Sequence, residues 1–291
     1  MNGPVVLYAL IFLMVAFWSG NYIVGKIALR EFSPLMLAGL RIGFAGVLIL
    51  PVYEWERRRS LTRWTRQDVP LLLGLGIFGV TLNQLFFIVG LSRTSVAHSS
   101  IIIGLTPVLV LILASLRGLE RMTARKAMGM AVALAGVAVL KAFEPAAGTA
   151  TWLGDFFTFL TGLCFAVFTV FGKEATMLHS SVTVNTFAYV GGALALAPVT
   201  MWEASRHSLA HVSTAAWLSV LYMALFPSVI AYLIYYYALT HIAASRVSAF
   251  SYLQPLFATA MGVALLGEHI GASVIAGGLV IFCGVYLAEH G

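Results

Sequence analysis

Asn83 and Gln84 stand side by side in the middle of an apolar run, and Tyr232, Tyr235 and Gln254 stand in two later runs of the same kind. An amide left bare in hydrocarbon costs on the order of several kcal/mol, so such residues must face a protein or water-filled interior. They offer hydrogen-bond donors, acceptors and ring faces. That chemistry recognises a small polar solute, because ionisable and polar groups inside apolar spans mark functional interiors. Trp18, Asn21, Phe87, His98, Thr106, Phe165 and Ser251 are of the same type and complete the expected substrate-binding set. Bond-breaking chemistry is not indicated. A membrane-embedded enzyme needs clustered Asp, His or Ser near one membrane face, and His98 has no acid partner near it in sequence.

The elements that must position these residues are apolar helices. The chain of 291 residues is 60% hydrophobic and 10% charged, against about 45–50% and about 25% for a soluble domain. Runs long enough to cross a bilayer, about 20 residues each, recur along it. Length and periodicity predict ten spans, at about 4–28, 33–53, 68–91, 95–116, 123–141, 152–173, 181–201, 214–240, 243–265 and 270–288. The alternating pattern of outer-membrane strands is absent. The fold class is an all-α membrane protein with ten transmembrane helices. The first apolar run is longer than a signal-peptide core and reads as a retained span.

The net charge of +6 comes from loops, not from a nucleic-acid surface. Five arginines crowd the single segment EWERRRSLTRWTRQD, and no soluble module is left to bind nucleic acid. With the N-terminus inside, eleven Lys and Arg fall in inner loops and five in outer ones, which orients both termini to the cytoplasm. Cys164 and Cys283 both lie in apolar runs, which excludes a structural disulfide and a metal site. His207 and His211 read as part of a solvated outer loop. No Walker-type GxxxxGK[ST] is present, so ATP is not the direct drive, and no cofactor is called for.

The chain repeats itself. LTPVLVLILASLRGLE at 105–120 is echoed by LQPLFATAMGVALLGE at 253–268. Gly25-Lys26 matches Gly172-Lys173 and Pro51 matches Pro198 at an offset of 147, while Pro107 matches Pro255, Glu120 Glu268, Gly129 Gly277 and Gly136 Gly284 at 148. Each half, 1–143 and 152–289, holds five spans. Five is odd, so the second half enters the membrane from the opposite side, giving an inverted-topology repeat. The same arithmetic pairs Trp18 with Phe165, Asn21 with Phe168, Gln84 with Tyr232, Phe87 with Tyr235 and Thr106 with Gln254. A pocket built from both halves has a hydrogen-bonding wall and a ring-lined wall.

Pro107 and Pro255 lie about a dozen residues into their spans, where a proline frees a carbonyl one turn earlier. Each is either a packing kink or a hinge beside the cavity; the symmetric placement favours the hinge. Glu120 and Glu268 end their helices against the macrodipole and therefore need partners, such as backbone donors opening the next span. Arg41, some six residues into span two, is expected to snorkel to the outer surface. Glycines in spans five and ten are expected to let the halves approach closely.

The second half, YLIYYYALTHIAASRVSAFSYLQPLFATAMGVALLGEHIGASVIAGGLVIFCGVYL, resembles the EamA-type repeat of the drug/metabolite transporter superfamily. The first half resembles it in FWSGNYIVGKIAL, SPLMLAGLRIGFAG and SVAHSSIIIGLTPVLVLILASLRGLE, though it ends its fourth helix Gly118-Leu119-Glu120 instead of Gly-Glu. The resemblance implies a ten-helix secondary transporter of small organic solutes, often an exporter, in a bacterial inner (plasma) membrane. It also implies a structural role for Arg41 at the cavity mouth. Amino acids are the first solutes to consider, since a pocket of amides, hydroxyls and rings suits an uncharged or zwitterionic molecule. Two other readings stay open: an exporter of apolar cations, which needs an acidic counter-charge absent mid-span, and the membrane-embedded enzyme. The partners are a small solute and the lipid bilayer. A monomer is compatible with the repeat, which does not set the oligomeric state.

Overall fold

The structure, a computed structural model, describes residues 3–59, 64–94, 99, 102–142, 151–206, 209–254, 256–257, 261 and 272–291. His98, Pro255, Glu268, His207 and the linker 144–150 lie outside the described residues. Among the described residues every element is helical. The helices are α1 (Gly3–Ala28), α2 (Pro34–Arg57), α3 (Val69–Arg93), α4 (Thr106–Leu116), α5 (Ala124–Ala142), α6 (Trp152–Thr176), α7 (Ser181–Arg206), α8 (Thr214–His241), α9 (Ala244–Ala249) and α10 (Ala272–Glu289). Six of them, α1, α2, α3, α6, α7 and α8, are long and apolar enough to cross a bilayer; α4 and residues Ala276–Ala288 of α10 are apolar but shorter.

Local sequence starts these helices where hydroxyl residues can satisfy the first backbone donors. Ser33 Oγ accepts from Met36 N at 3.2 Å ahead of Pro34, Thr151 Oγ1 from Gly154 N at 3.1 Å, Ser180 Oγ from Thr183 N at 3.1 Å and Ser213 Oγ from Ala216 N at 3.2 Å. Two of these caps also tie helices together. The Ser33 hydroxyl donates to Glu203 at one end of the α2–α7 pair, and Ser180 Oγ donates to Glu56 Oε2 at 2.6 Å at the other. The two helices therefore run antiparallel.

α5 and α10 also pack antiparallel, closely enough to require glycine. A Cβ on Gly129 would lie 2.4 Å from the backbone nitrogen of Ala288, and one on Gly136 would lie 2.7 Å from that of Ile281. Only a hydrogen fits in those gaps, so the backbones meet with no side chain between them.

α3 and α8 are not regular. Each widens into a π turn, at Gly76–Leu82 in α3 and at Leu225–Ile230 in α8, and returns to α geometry directly before Asn83 and before Ala231. Such turns frequently sit at functional sites. The far ends of both helices are held alike. Lys26 Nζ donates to Leu91 O at 2.6 Å and Thr94 O at 3.2 Å; Lys173 Nζ donates to Leu239 O at 2.7 Å and Ile242 O at 2.8 Å. An ammonium at a helix C-terminus satisfies orphan carbonyls and complements the macrodipole.

Pro107 lies in the first turn of α4, where a missing N–H costs nothing, and the chain turns at 104–105, between it and Ile103, whose carbonyl a proline at 107 frees. One expectation needs correcting here. Glu120 finds its backbone donor in α9 and not at the opening of α5: Ser245 N donates to Oε1 at 3.0 Å, the Ser245 hydroxyl donates to Oε2, and Lys126 Nζ of α5 lies 3.1 Å away. Burial pushes the Glu120 carboxyl up, but the Ser245 and Lys126 donors outweigh it and hold the group below its ordinary value.

Candidate functional site

Between the irregular helices lies a cavity of about 80 Å³. One water needs about 10–15 Å³ of such space, so it has room for several waters or for the head of a small solute. Its floor is an aromatic cluster. Trp18 of α1 meets Phe165 of α6 edge-on at 5.7 Å between centroids and Tyr232 of α8 at 5.8 Å. The indole Nε1 donates to Pro227 O, inside the α8 π turn, at 3.0 Å. A widened turn leaves carbonyls without a helical partner, and here the ring takes one of them.

The polar wall is a chain of hydrogen bonds. Gln84 Nε2 donates to the Tyr232 hydroxyl at 3.1 Å, Tyr232 in turn to Asn83 Oδ1 at 3.4 Å, and Asn83 Nδ2 to Thr161 O at 3.0 Å. Gln84 is 3% exposed and Tyr232 2%, so these amides face the interior and not lipid. Across the cavity, Ser19 Oγ donates to Gln254 O at 3.0 Å, which joins α1 to the turn after α9. Trp18, Asn21, Asn83, Gln84, Phe87, Thr106, Phe165, Tyr232, Ser251 and Gln254 all line this one space.

Tyr235 does not line it. Its ring packs against Trp18 and Phe165 from behind, at 5.4 and 5.2 Å, and its hydroxyl shares a 2.6 Å hydrogen bond with Thr169. Three residues beyond Tyr232, about one turn, it points past the cavity into the ring cluster around Trp18. His98 and Pro255 lie outside the described residues. Pro107 stands off the cavity, but Ile103, four residues before it, lines the space.

Arg41 corrects the sequence reading most sharply. It does not snorkel: it is 1% exposed and lines the cavity. Its Nε donates to Ser228 Oγ at 3.0 Å, and Ser228 donates onward to Met223 O at 2.7 Å. Burying an ion without a counter-charge costs on the order of several kcal/mol, so a guanidinium here implies a compensating interaction. Its sequence signal was a charge inside a span with no partner at helical spacing. Tyr22, Thr161 and Gly162 also line the cavity and carry no sequence signal beyond their polarity or size.

Among the described residues three buried polar atoms lining the cavity have no hydrogen-bond partner: Asn21 Oδ1, Arg41 Nη1 and Thr106 Oγ1. An acceptor, a cationic donor and a hydroxyl left unmet on one cavity lining form a recognition surface for a polar molecule. Among the described residues no arrangement of nucleophile and base accompanies them.

The family model for the EamA-like transporter family matches residues 6–141 and again 152–289. The chain belongs to that family. A protein of Archaeoglobus fulgidus named only as an uncharacterized transporter is 29% identical over 286 residues, covering 96% of each chain. The uncharacterized transporter YyaM of Bacillus subtilis is 28% identical over 278 residues, covering 94% of this chain and 90% of its own. The uncharacterized inner membrane transporter YedA of Escherichia coli is 25% identical and is covered over 88% of its length. One solved crystal structure superposes with a TM-score of 0.79 over 98% of this chain and 96% of its own; at 18% identity it shows the fold alone. The protein is an integral membrane transporter of small molecules and not an enzyme.

Proposed function

We propose that the protein is a ten-span secondary transporter built from two five-helix halves, 1–143 and 152–289, of opposite orientation, which carries a small organic metabolite, an amino acid first, by alternating access. The observation that carries this reading is the hydrogen bond between Gln84 and Tyr232, residues 148 apart. Two copies of one repeat position touch each other only near the axis that relates the copies. Trp18 and Phe165, 147 apart, also touch. A cavity on that axis is the place both halves can open to one face and then to the other. Ten of the twelve expected substrate-binding residues line it, Tyr235 standing behind and His98 outside the described residues, and the break before Pro107 gives α4 a place to bend.

Both termini are assigned to the cytoplasm and the protein to a bacterial inner membrane, in line with the inner-membrane relative. Single cysteines at Arg59 and Arg121 should label from the cytoplasmic side, and at Ala147 and Ser208 from outside. Labelling at Arg59 from outside reverses the orientation without touching the repeat.

The direct test is counterflow in proteoliposomes with a panel of amino acids, neutral solutes and organic cations, with and without a pH gradient. Accelerated exchange of a small metabolite supports the reading. No exchange of any solute removes it. The cation-exporter reading has the aromatic floor in its favour, but the charge lining the cavity, Arg41, has the wrong sign for it.

A further inference from the structure

The described lining of the cavity contains one charged side chain, and protein groups do not neutralise it. Arg41 hangs from α2 with Nε on Ser228 Oγ at 3.0 Å, and Nη1 has no partner among the described residues. Ser228 fixes the direction of the head but supplies no negative charge; its own proton goes to Met223 O. Every acidic residue that the structure describes lies in a loop or in the first or last turn of a helix. Water can fill the bonding capacity of Nη1 without cancelling its charge.

Packing does not require that charge. Arg41 corresponds to Ala188, 147 residues on, and its partner Ser228 corresponds to Val80, 148 residues back. Ala188 and Val80 are both fully buried, on α7 and the α3 π turn, which pack together. The matching positions in the other half are therefore held by apolar residues. The scaffold is satisfied by alanine and valine, so a buried cation at the same place needs a reason of its own.

We propose that Arg41 anchors a carboxylate of the transported solute, which makes the substrates small monocarboxylates, zwitterionic amino acids among them. The inference rests on the transport reading above and names the substrate class for that site. A guanidinium presents two parallel donors to a carboxylate, a pairing stronger and more directional than any neutral contact in the cavity. With Nε held by Ser228, Nη1 is free to bind the solute. The unmet acceptor Asn21 Oδ1 and the Thr106 hydroxyl, on the same lining, suit an ammonium on the same molecule. One cation balances one carboxylate; a phosphate dianion needs a second, which the described lining lacks. A neutral complex of Arg41 and carboxylate also crosses the low-dielectric interior without carrying net charge.

The test compares acids with their uncharged and cationic counterparts. Wild type, Arg41→Lys and Arg41→Gln are purified in detergent, and binding is read by thermal stabilisation for leucine, phenylalanine, threonine and 4-methylpentanoate. Leucinamide, phenylalaninamide and isopentylamine serve as counterparts, with chloride as the anion control. At least one acid should bind the wild type about 100-fold more tightly than its amide, a ratio in keeping with loss of a charge-assisted bidentate pair. Lysine at position 41 should retain the preference with about tenfold weaker binding, and glutamine should abolish it. An amide or amine that binds as tightly as its acid overturns the proposal, as does a glutamine variant that keeps the preference. Chloride that stabilises as well as any carboxylate overturns it too, marking a structural ion site. If the glutamine variant does not fold, the wild-type ratio decides. Counterflow of a neutral or cationic solute without any carboxylate leaves the transport reading standing and removes this inference. Absence of all exchange removes both.

Discussion

Lys26 and Lys173 do the same work 147 residues apart, each tying off the end of a π-turned helix through two carbonyls. Arg41 and Ala188, also 147 apart, share nothing but their place. The two halves agree at the Ser33–Glu203 and Ser180–Glu56 ties, at the π turns and at the glycines of α5 and α10. They disagree at Trp18 and Phe165, at Asn21 and Phe168, at Asn83 and Ala231, at Gln84 and Tyr232, and at Thr106 and Gln254. The difference separates two kinds of constraint. Contacts that hold helices together work equally well in either orientation, so both copies keep them. Contacts with a solute that has two unlike ends cannot be two-fold symmetric, so the copies part company there.

Stability measurements can break this division. The largest effect is expected at the α5–α10 contact. Gly129→Leu places a side chain where backbone atoms already stand and should cost about 3 kcal/mol, a fall of on the order of 10 °C in Tm for a chain of this size. A small change in the melting curve in detergent removes the claim that the backbones meet there.

The lysines give the sharpest symmetry test. Lys26→Met and Lys173→Met each strip two carbonyls of a charged donor and should each cost on the order of 2 kcal/mol. The expected finding is near equality between the two variants. A loss at one position only, read from the same melts, means that the two caps are not equivalent.

The mismatched positions should behave the other way, with little change in Tm and a change in solute handling. Gln84→Ala removes one neutral hydrogen bond of the wall and Tyr232→Phe two, each bond worth about 1 kcal/mol, and both variants should weaken solute binding by about three- to tenfold. Equal affinity in both variants, measured with the solute found by counterflow, takes the amide wall out of the site.

The smallest effect concerns pH. The folded Glu120 carboxyl titrates below its ordinary value of 4.5 because Ser245 and Lys126 favour the ionised form. Its contribution to stability is therefore fully present above about pH 4.5 and is lost as pH falls through the lower folded value. Glu120→Gln should flatten that acid limb of Tm against pH and leave the melt near neutrality less affected. An unchanged acid limb contradicts the pairing.

Much of this was legible in the sequence because its causes are local or periodic. The apolar runs predicted helices, and the offset arithmetic paired Gln84 with Tyr232 as equivalent positions on one pocket. The π turns were not legible: one additional residue per turn leaves the run as apolar as before, so periodicity does not register it. The burial of Arg41 was not legible either, since snorkelling and inward projection share the same sequence and differ only in which neighbours cover the side chain. Tyr235 was misplaced for a related reason. Repeat matching assigns a position, but the ring cluster around Trp18 decides which of Tyr232 and Tyr235, one turn apart on α8, reaches the open space. Pro107 was legible as a break in its run but not as the start of a helix, because the fresh start at Thr106 depends on the turn at 104–105, which an apolar run does not reveal.

The π turn of α3 also sets an angular phase. A regular helix advances by about 100° per residue, so the surplus residue held in Gly76–Leu82 rotates everything after it by about that angle relative to an unbroken helix. Asn83 and Gln84 come directly after the turn. Deleting one residue within it, Phe78 for instance, would leave a helix just as long, apolar and continuous to the eye, with its amides swung about a quarter-turn off the axis. The identity of the cavity's walls is thus written partly in side chains and partly in a count of residues, and a single codon lost from the π turn would rewrite it.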